Sequence, residues 1–168
     1  TYGHSERVTY FAKEIGQRLN LPRQDLQLLE YGAFLHDIGK LEISREILNK
    51  KDGLLEEDWN IIRQHPQWGA EILKSVASLK PAIPMVLYHH ENYDGTGYPF
   101  GLKGDEIPLF ARILRVADSF DAIVSNRPYS SPMAQEEALK ELARCSGSQY
   151  DPQIVAVFLE VMKSIKLY

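Results

Sequence analysis

Apolar residues recur along this chain with the period of an α-helix, and that pattern limits the fold before any single residue is considered. Val8, Phe11, Ala12, Ile15 and Leu19 follow the i, i+3, i+4, i+7 spacing that lines one helical face. Leu21-Pro22 closes that element, because the residue before a proline disfavours helical backbone. Leu26, Leu29, Ala33 and Leu35 predict a second helix from about Asp25 into His36, ending at Gly39 and Lys40. Asp52-Gly53 marks a turn, and a third helix is expected over Glu56–Gln64. Pro66 breaks or restarts it, leaving His65 at the junction, and Trp68, Ala70, Ile72 and Leu73 continue in a fourth. Pro81 and Pro84 open a fifth, which carries Met85, Val86 and Leu87 into His89 and His90. Pro108 suits the first turn of a sixth, with Phe110, Ile113, Leu114, Ala117 and Ile123. A seventh begins near Pro132, and Asp151-Pro152 starts an eighth with Ile154, Val157, Phe158, Val161 and Ile165 on its apolar face. No alternating run supports a strand and no segment repeats. The reading is all-α, a compact helical bundle.

The segment from Asn92 to Pro108 breaks this pattern. Gly95, Gly97, Gly101 and Gly104 with Pro99 and Pro108 give it the composition of an ordered loop, the kind of segment where functional residues concentrate.

Composition narrows the function. The 168 residues fit one domain with a sizeable core, 44% hydrophobic and 25% charged. The net charge of -4 argues against broad nucleic-acid binding through a basic surface, yet leaves room for an anionic substrate held by metal ions. Cys145 is the single cysteine, so no internal disulfide forms and a reducing, cytoplasmic setting is expected. No apolar run has the length of a membrane span. The abrupt opening at Thr1 suggests one domain of a longer chain, with a regulatory region upstream through which the full-length protein could be membrane-anchored.

Each of the 5 histidines sits somewhere informative. His4 lies on the first helix, His36 beside Asp37 at the end of the second, His65 at a helix junction, and His89 and His90 at the end of the fifth. Asp118 lies on the sixth, one turn after Leu114. Imidazole with carboxylate suits iron, manganese or zinc, whereas calcium or magnesium favours oxygen alone. Adjacent residues at a helix end point in different directions, so one metal can take His36 while Asp37 bridges to a second. Taken singly, each histidine is more readily explained as a helix cap or a satisfied polar group.

The combination resembles the HD-GYP family. The motifs are His36-Asp37-Ile38-Gly39-Lys40, His89-His90-Glu91, Asp94-Gly95-Thr96-Gly97-Tyr98-Pro99, and Arg112 through Ala122 followed by Arg127-Pro128-Tyr129. His4-Ser5-Glu6-Arg7-Val8 and Gln149-Tyr150-Asp151-Pro152 extend the likeness over essentially the whole chain. The resemblance implies an HD-domain bundle with an ordered Gly-Tyr-Pro loop and two or three divalent metals, iron or manganese foremost. Carried over by position, one metal takes His4, His36, Asp37 and Asp118, and a second shares Asp37 and adds His65 and His89. His90 completes the second site or serves a third metal. Some family members add an acidic ligand one turn before the first histidine, a place upstream of Thr1.

The family hydrolyses cyclic di-GMP to pGpG or GMP, through in-line attack by an activated water on phosphorus. By the same resemblance, Asp37 and Lys40 serve catalysis, with Lys40 reaching a phosphate oxygen. Arg127, Asp121 and Tyr98 are expected at the substrate, Arg112 in a structural ion pair, and the Gly97-Tyr98-Pro99 loop against GGDEF-domain proteins. Ser130 stands where the family usually carries another basic residue, which implies weaker affinity or a shift toward cyclic GMP-AMP. Two other classes compete. One is a non-catalytic cyclic dinucleotide receptor or GGDEF-binding adaptor; the other is an HD-type nucleotide phosphohydrolase or di-iron oxygenase.

Overall fold

The computed structural model describes residues 3–50, 53–125 and 132–165. Asp52, Arg127, Pro128, Tyr129 and Ser130 lie outside them. Nine α-helices and three 3-10 segments occur among the described residues: α1 (His4–Arg18), α2 (Arg23–Leu35), α3 (Arg45–Leu48), α4 (Glu56–Ile62), α5 (His65–Lys74), α6 (Ile83–Tyr88), α7 (Leu109–Val124), α8 (Gln135–Arg144) and α9 (Pro152–Ser164). No strand forms among them; two isolated bridges, Asp94 with Lys103 and Ser146 with Tyr150, tie loops together.

The helices follow the apolar periods. Val8, Phe11, Ala12 and Ile15 of α1 are buried, and so are Leu29 and Ala33 of α2. The central helix is α7, with Ile113, Leu114, Val116, Ala117 and Phe120 fully buried. Phe11, Phe120 and Phe158 meet edge to face with ring centroids 5.2, 5.8 and 5.0 Å apart, an arrangement aromatic quadrupoles favour. Burying each such side chain contributes roughly 1.5–3 kcal/mol, so this cluster anchors α1, α7 and α9 to one another.

Helix ends depart from the expected bounds by a few residues. The second helix starts at Arg23 and stops at Leu35, the third stops at Ile62, and Pro108 caps α7 from outside its first turn. The seventh expected helix starts at Gln135, beyond Pro132. Asp151 caps α9 as its position implied, accepting the Gln153 N–H at 2.8 Å. Four segments were not anticipated: the 3-10 turns Ile38–Glu42, Ala77–Ala82 and Gly104–Glu106, and the four-residue α3. Each is too short to show a period.

Candidate metal centre

Gly39 brings the two halves of the centre together. It follows the His36-Asp37 pair in the Ile38–Glu42 turn, and that turn packs directly on the start of α5. A Cβ at Gly39 would lie 1.9 Å from the His65 carbonyl oxygen and 2.5 Å from the Gly69 nitrogen. Only glycine permits this approach, which sets Asp37 beside His65.

His36, His65 and His89 end up pointing inward by one shared device. Each ring donates Nδ1–H to the carbonyl three residues earlier: His36 to Ala33 at 2.6 Å, His65 to Ile62 at 2.7 Å and His89 to Val86 at 2.6 Å. The carbonyls belong to the last turns of α2, α4 and α6, where helix oxygens lack intrahelical partners. With Nδ1 engaged, each neutral imidazole turns its Nε2 lone pair toward the centre. His4 is held differently, donating Nδ1–H to Asp121 Oδ2 at 2.7 Å.

Asp37 lies between two groups of these rings. Its Oδ1 is 3.3 Å from His65 Nε2, while its Oδ2 is 3.5 Å from His36 Nε2 and 3.8 Å from His4 Nε2. Ligand atoms of Asp37, His65, His89 and His90 lie within 4.8 Å of one another, as do those of His4, His36 and Asp37. Asp118 joins the second group, 3.3 Å from His4 Nε2 and 3.9 Å from His36 Nε2. His90 falls in the group of His65 and His89.

The polar balance of this cluster calls for a cation. His36 Nε2 is buried without a hydrogen-bond partner. His65 Nε2 and His89 Nε2 face each other at 3.3 Å, and both rings have already used Nδ1 as donor. Burial, with the other imidazoles nearby, lowers the His89 and His90 pKa values well below that of free imidazole and keeps those rings neutral. Burial works against ionised Asp37, but His36, His65 and Lys40 outweigh it and hold the carboxyl well below the usual range. Burial likewise opposes the charge on Asp118, and His4 and His36 overcome it. Imidazoles gathered around two ionised carboxylates match the donor set of iron, manganese or zinc.

Lys40 Nζ lies 2.6 Å from Asp37 Oδ2 with its side chain 38% exposed, so the ammonium can turn toward solvent or ligand. The half-buried Tyr98 ring stacks on His90, centroids 4.8 Å apart and 20° between planes. Asp121 is not at an open surface. It is fully buried, with one oxygen on His4 and both within reach of Arg7, at 2.5 Å from Nε and 3.1 Å from Nη2. Oδ2 orients His4 and Oδ1 is held by Arg7, so the residue expected at the substrate faces these two side chains in this structure. Arg112 forms the structural ion pairs expected of it, with Asp151 at 2.6 Å and Asp105 at 3.0 Å.

Glu91 is a loop anchor that the sequence reading did not single out. It is buried, and its two oxygens accept the backbone N–H groups of Phe100 at 2.8 Å and Leu102 at 3.0 Å. Tyr98 N–H reaches the His90 carbonyl at 3.2 Å, and a Cβ at Gly97 would sit 2.2 Å from the Asn92 nitrogen. The Gly-Tyr-Pro loop is thus folded back on the 90–92 backbone, which fixes Tyr98 over His90. The available signal was a carboxylate placed directly after two histidines and ahead of a glycine-rich loop.

The family model described as "HD domain" matches residues 1–154, and the chain belongs to the HD domain family. A cyclic di-GMP phosphodiesterase of Thermotoga maritima is 41% identical over 167 residues, covering 98% of this chain and 45% of that protein. A 3'3'-cGAMP-specific phosphodiesterase of Vibrio cholerae is 38% identical over 162 residues, covering 96% and 35%. The chain thus spans under half the length of these curated relatives. Among solved structures, Bd1817, an HDG"Y"P protein from Bdellovibrio bacteriovorus, superposes with a TM-score of 0.76 at 23% identity over 95% of this chain and 51% of that one. It shares the fold. No helix among the described residues is long and apolar enough to cross a membrane.

Proposed function

We propose that this domain is a metal-dependent phosphodiesterase that hydrolyses cyclic di-GMP to pGpG, GMP or both. The observation that carries the reading is the placement of Asp37, one oxygen facing His65 and the other facing His36 and His4. Two ligand groups that share one carboxylate suit a two-metal hydrolase. The curated relatives named for cyclic dinucleotide hydrolysis support the substrate class.

His4, His36, Asp37 and Asp118 would hold one ion, and Asp37, His65, His89 and His90 a second or a further pair, iron or manganese by donor type. Such ions, when bound, supply Lewis acidity and lower the pKa of a coordinated water. The chain's own residues do the rest. Carbonyls of Ala33, Ile62 and Val86 fix the ring tautomers, and Asp121 fixes His4. Lys40 turns from Asp37 to a non-bridging phosphate oxygen and offsets the charge that builds there in the transition state. Tyr98 stays protonated, because burial raises its pKa, and borders the substrate while bracing His90. Arg127 is assigned to the substrate by its motif position. Phe100, exposed beside Tyr98 and Pro99, marks the surface assigned to a GGDEF-domain partner.

The test is anaerobic incubation with ferrous iron or manganese and, in parallel, cyclic di-GMP and 3'3'-cGAMP. The expected result is release of pGpG or GMP that a chelator stops, and the cGAMP arm reads which dinucleotide Ser130 favours. Bound metal without turnover of either substrate would instead support a receptor or adaptor, and oxygen-dependent turnover would support an oxygenase.

A further inference from the structure

Three large apolar side chains remain in solvent beside the charged centre. Phe34 at the end of α2 is 51% exposed, Leu41 in the following turn 78%, and Leu48 in α3 39%. Together with Ile38 they line one groove of about 370 Å³, whose remaining wall includes Asp37 and Lys40. The volume falls in the range of small-molecule sites. A contiguous apolar patch of this kind marks a binding surface more often than a single exposed leucine does.

The lining of the groove combines two chemistries. One part is the Asp37–Lys40 pair, continuous with the proposed metal centre. The other part is apolar, Phe34 with Leu41 and Leu48, and the groove's lining holds no anionic side chain apart from Asp37. A nucleotide has the same polarity: an anionic phosphate at one end and a flat, apolar-faced base at the other. We propose that Phe34, Leu41 and Leu48 form a nucleobase subsite that receives one purine of the substrate while its phosphate lies at Asp37 and Lys40. The inference rests on the phosphodiesterase reading, since it takes the phosphate position from that centre. A second copy of the chain seated here would cover Lys40 and Asp37 and shut the centre off, so a small ligand fits the groove better. Stacking on an aromatic face does not distinguish purines. The subsite therefore contributes affinity and accepts guanine or adenine.

Calorimetric titration of the manganese-loaded chain with GMP, AMP and ribose 5-phosphate tests this, alongside turnover of cyclic di-GMP. Phe34→Ala should weaken GMP and AMP binding about tenfold, a typical loss for one base–aromatic stack. It should raise the KM for cyclic di-GMP to a similar degree. Metal content and binding of the base-free ribose 5-phosphate should stay at the wild-type level, and Phe34→Trp should restore GMP binding. Leu41→Ser should weaken GMP in the same direction by a smaller factor. Unchanged GMP binding in Phe34→Ala overturns the subsite even if cyclic di-GMP is hydrolysed. So does an equal loss of GMP and ribose 5-phosphate. Weaker self-association of Phe34→Ala with intact GMP binding would assign the groove to a second copy and overturn it too. A Phe34-dependent preference for GMP in a chain that hydrolyses nothing would keep the subsite and remove the phosphodiesterase.

Discussion

His65 and His89 aim their Nε2 atoms at each other across 3.3 Å, and each ring has already given its Nδ1 proton to a backbone carbonyl. Two lone pairs at that distance repel unless a cation or a proton lies between them. Metal binding should therefore stabilise the fold. At a free concentration a hundredfold above Kd, binding to the native state alone contributes about 2.7 kcal/mol, which raises Tm by roughly 5–10 °C in a chain of this size. Thermal unfolding with and without manganese measures it. No shift in the wild type, or an equal shift in His89→Ala, would argue against the centre.

Asp37 is the ligand common to both groups. Asp37→Ala should remove at least one ion per chain and abolish hydrolysis, read by elemental analysis and product assay. Full activity in that variant would sink the bridging assignment.

Lys40→Ala should behave differently. Its ammonium is placed to stabilise developing phosphate charge, a role whose loss typically costs about 10²–10³ in kcat. Metal content should stay intact; loss of metal instead would make Lys40 a support for Asp37.

The pH dependence of the metal-free chain has two limbs. Burial lowers the His4 pKa, but hydrogen bonds to Asp118 and Asp121 prevail and raise it from 6.5 to about 9. A folded pKa above the unfolded one means this pairing stabilises fully below pH 6.5 and is lost as pH rises through about 9. His89 and His90 shift the other way, so their neutral burial loses stability as pH falls below the unfolded value. Metal-free stability should thus peak near pH 6.5, and Asp121→Asn should flatten the alkaline limb. A metal taking His4 must displace its proton at pH 7.5, and calorimetry in two buffers of different ionisation enthalpy should detect that release.

Gly39→Ala places a methyl 1.9 Å from the His65 carbonyl oxygen. Overpacking of this kind costs about 1–3 kcal/mol. The Ile38–Glu42 turn should move off α5, lowering both Tm and metal affinity. Wild-type values in both assays would contradict the close approach.

The helices that bury a full face, α1, α7 and α9, were legible because Val8, Phe11, Ile15, Ile113, Leu114 and Phe158 carry the period that packing imposes. The short turns were not, since three to six residues hold no period. The grouping of the histidines was legible through their motifs. The place of Asp121 was hidden because its partner His4 lies 117 residues away, and an exposed and a buried aspartate look alike in sequence. Glu91 escaped because its partners are backbone N–H groups, which leave no trace in side-chain identity.

The centre gathers side chains from position 4 to position 118 in a chain whose one cysteine, Cys145, is buried and unpaired. An ion tying His4 to Asp118 would close a loop of about a hundred residues, and a cross-link of that span restricts the unfolded chain by an entropy worth roughly 4–5 kcal/mol. The ion would then act as a removable staple, and chelation should make the whole bundle more vulnerable to protease, well beyond the site itself.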